Sequence, residues 1–404
     1  MKTVRKIARS VLPFQLRCKI RKVVFKDFRR LKILDFLRSV GFLTYQSYIE
    51  VNAFNVERVF NKENGQIKIY TMGEENEIKA AVHLEGQELN GMQPFLATTE
   101  TLLLDIRDSG FSFRNNHLLD KDLNVIGEQR TEELNKFLPL PIYSEVISKA
   151  TKLEGTVAYL SDPDPANYYH WMCRTLPLLR IYQKWFDWQE IDFFYIGQFP
   201  ISSFHKESLE KAGIPLNKIT QSACTADRIL VAITNRTINW GDPINKEAYF
   251  FTRNLFLKNL KINFKNKKSR VYVKRGNPGR RKVINEIQVI ALLERYGFAS
   301  VLMDDKTVQE QAEIFSQAEA IVAAHGAALT NLLFIQARTK VIEIIPYGYV
   351  NNCFYAMTSH GEADYFYLQS EKTDQINIDR RTIDLYVDIQ KLEKILQKAY
   401  LSKK

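Results

Sequence analysis

Between Ser269 and Pro346 the chain alternates short apolar runs with capped helical stretches, and this constrains the fold more than any other feature. Ser269–Lys274 sets Val271 and Val273 between polar neighbours, as a strand does. Asn285-x-x-Gln288 reads as a capping box ahead of apolar Val289, Ile290, Leu292, Leu293 and Tyr296, with Gly297 as the stop. Val301–Met303 reads as a short strand, Thr307-x-x-Glu310 as the cap of a second helix, and Ala320–Ala324 as another strand. A third helix opening at Gly326 leads into Val341–Ile345, an apolar run broken only by Glu343, of the kind parallel strands show. The alternation predicts an α/β fold with a parallel sheet and right-handed crossovers. All three helix N-termini then emerge where the strands end. Their unpaired amides and positive dipole ends make that edge an anion site.

The 404 residues suffice for two domains. Gly155–Leu160, Phe193–Gly197 and Arg228–Ile233 read as strands, Lys206–Ala212 as a helix, and Asn167 as the cap of a helix through Leu176. These resemble half of a second α/β sheet, in a domain taken as 41–240. Asn239–Lys246 reads as the linker, Asn254–Lys268 as a basic helix, 247–375 as the C-terminal domain, and 376–404 as a helical tail with a helix over Asp384–Tyr400. Within 41–150 only short pieces such as Gln66–Thr71 and Ala80–Leu84 look like strands.

Charge is concentrated at one end. Residues 1–40 hold thirteen Lys/Arg and two Asp/Glu, a net of +11, which equals the charge of the whole chain. Basic and apolar residues alternate closely there. The arm is therefore read either as a helix or leader on the globule, or as a contact for an anionic membrane surface; nucleic acid is not the expected partner, because no recognition motif accompanies the charge. No apolar run is long enough to span a bilayer, and no signal peptide is read at the N-terminus. Cys18, Cys173, Cys224 and Cys353 lack metal-ligand spacing and read as free thiols in a cytoplasmic chain.

Four places carry chemistry. The turn 274–282 places Arg275, Arg280, Arg281 and two lysines with two glycines at a helix N-terminus, where a pyrophosphate would bind. His325, Gly326 and Ala327 open the next helix with residues small enough for close ligand approach. Glu343, inside a buried strand, needs a partner: ribose or sugar hydroxyls of a ligand, or a neighbouring Arg or Lys. In the other half, His170 follows Asp162 and Asp164; each is a candidate catalytic base, although a turn or cap role suits either Asp. Asp162-Pro163-Asp164 reads as a turn, and Asp120-Lys121-Asp122 carries a cation between its carboxylates with no clear strand before it; neither reads as a metal site, so no metal or other cofactor is expected.

Together, Asn167-Tyr168-Tyr169-His170-Trp171-Met172 with Leu176-Pro177, Tyr272-Val273-Lys274-Arg275 with Arg280-Arg281 and Asn285-Glu286, His325-Gly326-Ala327-Ala328-Leu329-Thr330-Asn331, and Glu343-Ile344-Ile345-Pro346 resemble glycosyltransferase family 61 across roughly residues 140–365. The resemblance implies a GT-B-like fold, two Rossmann-like domains facing across a cleft. It also implies inverting transfer from a nucleotide sugar, typically a UDP-sugar, to a glycan or lipid-linked acceptor. By that analogy Arg275, Arg280, Arg281, His325, Gly326, Ala327, Asn331 and Glu343 lie on the donor side, and His170 faces acceptor and sugar. The setting it suggests is capsular polysaccharide synthesis at the inner face of a bacterial membrane. Family members often carry Asp and Arg where this chain has Arg174 and Leu178. That departure keeps open a second reading, a non-catalytic scaffold binding glycan or membrane. A nucleotide-sugar epimerase is disfavoured, since GxGxxG is missing.

Overall fold

A computed structural model describes residues 48–51, 66–78, 81–85, 88–89, 95–107, 110–114, 116–128, 149–162, 164–237, 244–258, 260, 269–276, 279–349, 351–372 and 382–403. The basic arm, most of the linker 239–246, the end of the basic helix and Cys18 lie outside these residues. Cys173, Cys224 and Cys353 are free and buried.

The first sheet holds β1 (Tyr48–Val51), β2 (Gln66–Ile78), β3 (Phe95–Arg107), β4 (Ser112–Arg114), β5 (His117–Leu119), β6 (Val125–Glu128), β7 (Thr151–Tyr159), β8 (Phe193–Tyr195), β9 (Ile219–Thr220) and β10 (Cys224–Thr237). The run β10-β7-β8-β9 is parallel, as the sequence reading anticipates for this half. The β2–β3 ladder, however, joins β10 antiparallel, so this sheet is mixed. Periodicity could not distinguish that case, because Leu102, Leu103, Leu104 and Ile106 are all buried in β3. Of the stretch read as a strand over Ala80–Leu84, residues 81–84 are described and hold an isolated bridge, Val82 to Phe366.

The second sheet is parallel throughout: β11 (Ser269–Lys274), β12 (Phe298–Leu302), β13 (Ala318–Ala324), β14 (Lys340–Ile345) and β15 (Asp364–Gln369), in the order β12-β11-β13-β14-β15. Successive residues serve opposite faces. Tyr272, Val322 and Ile342 join one apolar cluster, whereas Val271, Val273, Ile321 and Val341 join another that also holds Trp171, Tyr182 and Phe194 from the first half. The two halves thus share a core.

The helices are α1 (Tyr168–His170), α2 (Leu178–Trp185), α3 (Ser203–Lys211), α4 (Lys246–Leu257), α5 (Glu286–Arg295), α6 (Val308–Ser316), α7 (Cys353–His360) and α8 (Ile389–Lys398), with a 3₁₀ helix over Ala327–Phe334. Thr307 and Glu310 form the expected capping box. Asn285 does not cap α5. Its side chain accepts from Val387 N–H at 3.0 Å and donates to Val387 O at 2.8 Å, tying α5 to the segment before α8. The basic helix expected over Asn254–Lys268 instead starts after Asn245, whose side chain accepts the Ala248 N–H at 2.8 Å. An N-cap outweighed the charge pattern there. No helix among the described residues is long and apolar enough to cross a membrane.

Polar ties cross between the halves. Glu207 of α3 accepts the N–H groups of Val308 and Gln309 at 2.8 Å each, capping α6 across the boundary. Thr252 of α4 donates to Met172 O at 3.1 Å across the same boundary, while Tyr249 and Arg253 fasten α4 within the second half, to Leu332 O at 3.1 Å and Leu333 O at 3.0 Å.

Candidate active site

The cation-rich turn falls where β11 ends. Arg275 donates through Nη1 to His325 O at 2.6 Å, which fastens the end of β11 to the end of β13. Gly276 takes φ +58, left-handed backbone that favours glycine, and a Cβ there would sit 3.0 Å from Asp304. Arg281 takes φ +57, an uncommon state for a residue with a side chain. The Nε atoms of Arg275 and Arg281 are buried without a hydrogen-bond partner. Burial and the nearby Arg281 and Arg280 push the Arg275 guanidinium down to about 10, and burial lowers Arg281 as well. Arg280 itself is exposed. Buried N–H groups without acceptors cost about 1–3 kcal/mol each. Clustered cations with such groups form a site that an anion would complete.

His325 stands at the end of β13 and is buried. Its backbone N–H donates to Ile344 O at 2.9 Å, and its ring Nδ1 hydrogen-bonds Glu343. The other Glu343 oxygen accepts Tyr365 O–H at 2.6 Å. Both oxygens of the buried carboxyl are therefore engaged inside the protein, and neither partner is the arginine, lysine or ligand hydroxyl weighed from sequence. Tyr365 was not foreseen. The signal lay in β15, where register sets Tyr367 beside Glu343 and alternation puts Tyr365 on the same face. Tyr349 and Phe354 pack on the His325 ring, each at 5.0 Å between centroids.

Gly326 is there for space. A Cβ would lie 2.2 Å from Arg275 Nη1, so only glycine lets the guanidinium cross the opening of the 3₁₀ helix. Ala327 is exposed beside it. Asn331, placed with the donor side by resemblance, is completely buried instead. Its Oδ1 accepts Tyr168 O–H at 2.9 Å, and its Nδ2 donates to Gln311 Oε1 at 2.6 Å. It acts as a tie between the halves.

That tie brings α1 to the same edge. Asn167 caps α1 by accepting Tyr169 N–H at 2.9 Å. Pro177 offers no N–H, and Leu176 N–H reaches back five residues to Trp171 O at 2.8 Å, so α1 runs on as a π turn, Trp171–Thr175. Tyr169 sets its ring edge against both His170, at 5.9 Å, and Phe354, at 5.7 Å. Phe354 in turn touches His325, so one aromatic chain links the two histidines.

Asp162 is buried. Its Oδ1 lies 3.0 Å from His170 Nδ1 and accepts Asp164 N–H at 2.9 Å, while Oδ2 lies 2.8 Å from Arg174 Nε. Burial pushes this carboxyl up, but Arg174, His170 and the Asp164 amide outweigh burial and hold it well below the usual carboxylate range. A carboxylate so engaged is a poor base. Asp164 is exposed. Asp120 accepts the Asn124 N–H and Nδ2–H at 2.8 Å each in the turn after β5, a strand the sequence did not reveal.

Residues 168–342 match the family model described as Glycosyltransferase 61. This stretch is similar to glycosyltransferase family 61. That span holds α1, the cation-rich turn and His325, and ends just before Glu343. The chain is also similar to two rice proteins (Oryza sativa subsp. japonica) described as beta-1,2-xylosyltransferases. One, XYXT1, is 33% identical over 85 residues, 21% of this chain and 18% of that protein. The other, XAX1, is 35% identical over 71 residues, 17% of this chain and 12% of that protein. The match thus spans less than a fifth of either relative.

Proposed function

We propose that this chain is an inverting glycosyltransferase that moves a sugar from a UDP-sugar to a glycan hydroxyl. The observation that carries the reading is the pair of buried, partnerless Nε–H groups of Arg275 and Arg281, set among three guanidiniums beside the opening of the 3₁₀ helix. A diphosphate supplies the acceptor oxygens and negative charge these groups lack. Arginine forks then hold the leaving diphosphate, which is the reason to expect activity without a divalent metal. The similarity to xylosyltransferases favours a pentose as the sugar.

In this reading His170 Nε2 takes the proton of an acceptor hydroxyl. The hydroxyl oxygen bonds to the anomeric carbon as the bond from that carbon to the diphosphate oxygen breaks, and the electron pair leaves with UDP. The halves form a GT-B-like cleft, with donor on the parallel sheet and acceptor on the α1 side. A lipid-linked or capsular acceptor at an anionic bacterial membrane face suits the basic segment 1–40. Calorimetric titration of UDP, without and with divalent metal, tests the donor site. Micromolar binding that needs no metal and weakens at least tenfold in both Arg275→Ala and Arg281→Gln is expected. No binding of any nucleoside diphosphate to the wild type would defeat the reading.

A further inference from the structure

The π turn assembles a three-membered charge cluster. His170 and Arg174 stand four residues apart, one just before the turn and one within it, and both reach Asp162 on the preceding loop. Side-chain exposure is 31% for His170, 16% for Arg174 and 6% for Asp162, so the carboxylate is the desolvated member. Those values decide how its charge must be balanced.

A buried carboxylate beside an imidazole, with no other cation, draws a proton onto the ring. The resulting imidazolium has no lone pair and cannot accept a proton from a hydroxyl. Arg174 alters that balance. A guanidinium is always charged, and its Nε at 2.8 Å supplies the positive charge Asp162 needs. Asp162 and Arg174 then sum to zero, and the ring need only donate one hydrogen bond. Nδ1 faces Asp162 Oδ1 at 3.0 Å, so the proton sits there and Nε2 keeps its lone pair.

We propose that Arg174, acting through Asp162, is a positioning residue that holds His170 as a neutral ring with its proton on Nδ1, ready to accept a proton at Nε2. The catalytic consequence rests on His170 being the base of the proposed transferase, whereas the tautomer is a property of the free protein. Among the described residues, Tyr159, Asp164 and Tyr169 adjoin the cluster. Tyr159 is kept protonated, chiefly by burial. Asp164 holds its carboxyl out in solvent, and Tyr169 meets the His170 ring edge-on. None offers a competing positive charge.

The test uses nitrogen-15-labelled full chain. The His170 ring signals, assigned by their loss in His170→Gln, are followed across neutral pH in wild type, Asp162→Asn, Arg174→Gln and Arg174→Lys. Wild type is expected to show a protonated Nδ1 and a bare Nε2 above neutrality. Arg174→Gln should move the Nε2 signal at neutral pH toward that of a doubly protonated ring. Arg174→Lys should restore wild-type behaviour, and Asp162→Asn should abolish the Nδ1 preference. Unchanged ring signals in Arg174→Gln, or a wild-type ring protonated at Nε2, would overturn the proposal. UDP titration of the same samples separates the two ideas: a wild type that ignores UDP defeats the donor site yet leaves the ring result standing.

Discussion

Two histidine–carboxylate pairs stand at two strand ends of this protein, and their surroundings are opposite. His325 and Glu343 lie in the parallel sheet beside Arg275, Arg280 and Arg281, where positive charge exceeds the acceptors the protein provides. His170 and Asp162 lie on the α1 side, where the Arg174 guanidinium stands 2.8 Å from the buried carboxylate. The same side-chain pair therefore does two kinds of work. In the first, Glu343 is shared with Tyr365 and fixes a ring in a corner that lacks an anion. In the second, Asp162 is spent on Arg174 and leaves a one-third exposed ring free to exchange a proton. What surrounds a pair, rather than the pair, sets its use.

The largest effect should come from emptying the first pair. Glu343→Ala strands His325 Nδ1 and the Tyr365 hydroxyl in the core, and urea unfolding should show a loss of about 3–5 kcal/mol, with Glu343→Gln costing clearly less. Equal losses for Ala and Gln would mean that volume, not hydrogen bonding, matters at this corner.

The second pair should answer through acid. The Asp162 carboxyl is held below its unfolded range, so its contribution is fully present above about pH 4 and is lost as pH falls through the lower folded value. Asp162→Asn should cost about 1–3 kcal/mol at neutral pH, and the gap to wild type should narrow steadily below about pH 4. A gap independent of pH would show that the carboxylate charge contributes nothing.

The smallest effect isolates the cation-rich corner. Gly326→Ala sets a methyl against Arg275 Nη1, and the guanidinium must move. UDP affinity should fall about tenfold while unfolding free energy changes by under about 1 kcal/mol, since the clash is with the end of a flexible side chain. The His170 ring signals should stay as in wild type, which would confirm that the two edges are chemically separate.

The sequence by itself determined the parallel sheet. Its strands are short apolar runs, its helices carry local caps such as Thr307–Glu310, and its turn gathers cations within a few residues; each of these signals lies within one window of chain. His170, His325 and the arginines were legible for the same reason. What only the tertiary structure decided are the partners. Tyr365 reaches Glu343 across a strand boundary, Asn331 is consumed by Tyr168 from the other half, and Asn285 turns from its own helix to Val387. The β2–β3 ladder likewise joins β10 from over a hundred positions away in sequence. Arg174 shows the limit most plainly: as a letter it is only a cation, and its meaning depends on Asp162, twelve residues earlier, meeting it over a π turn. Local propensity is written in neighbouring residues, but hydrogen-bond and charge balance are settled only when distant segments share a desolvated space.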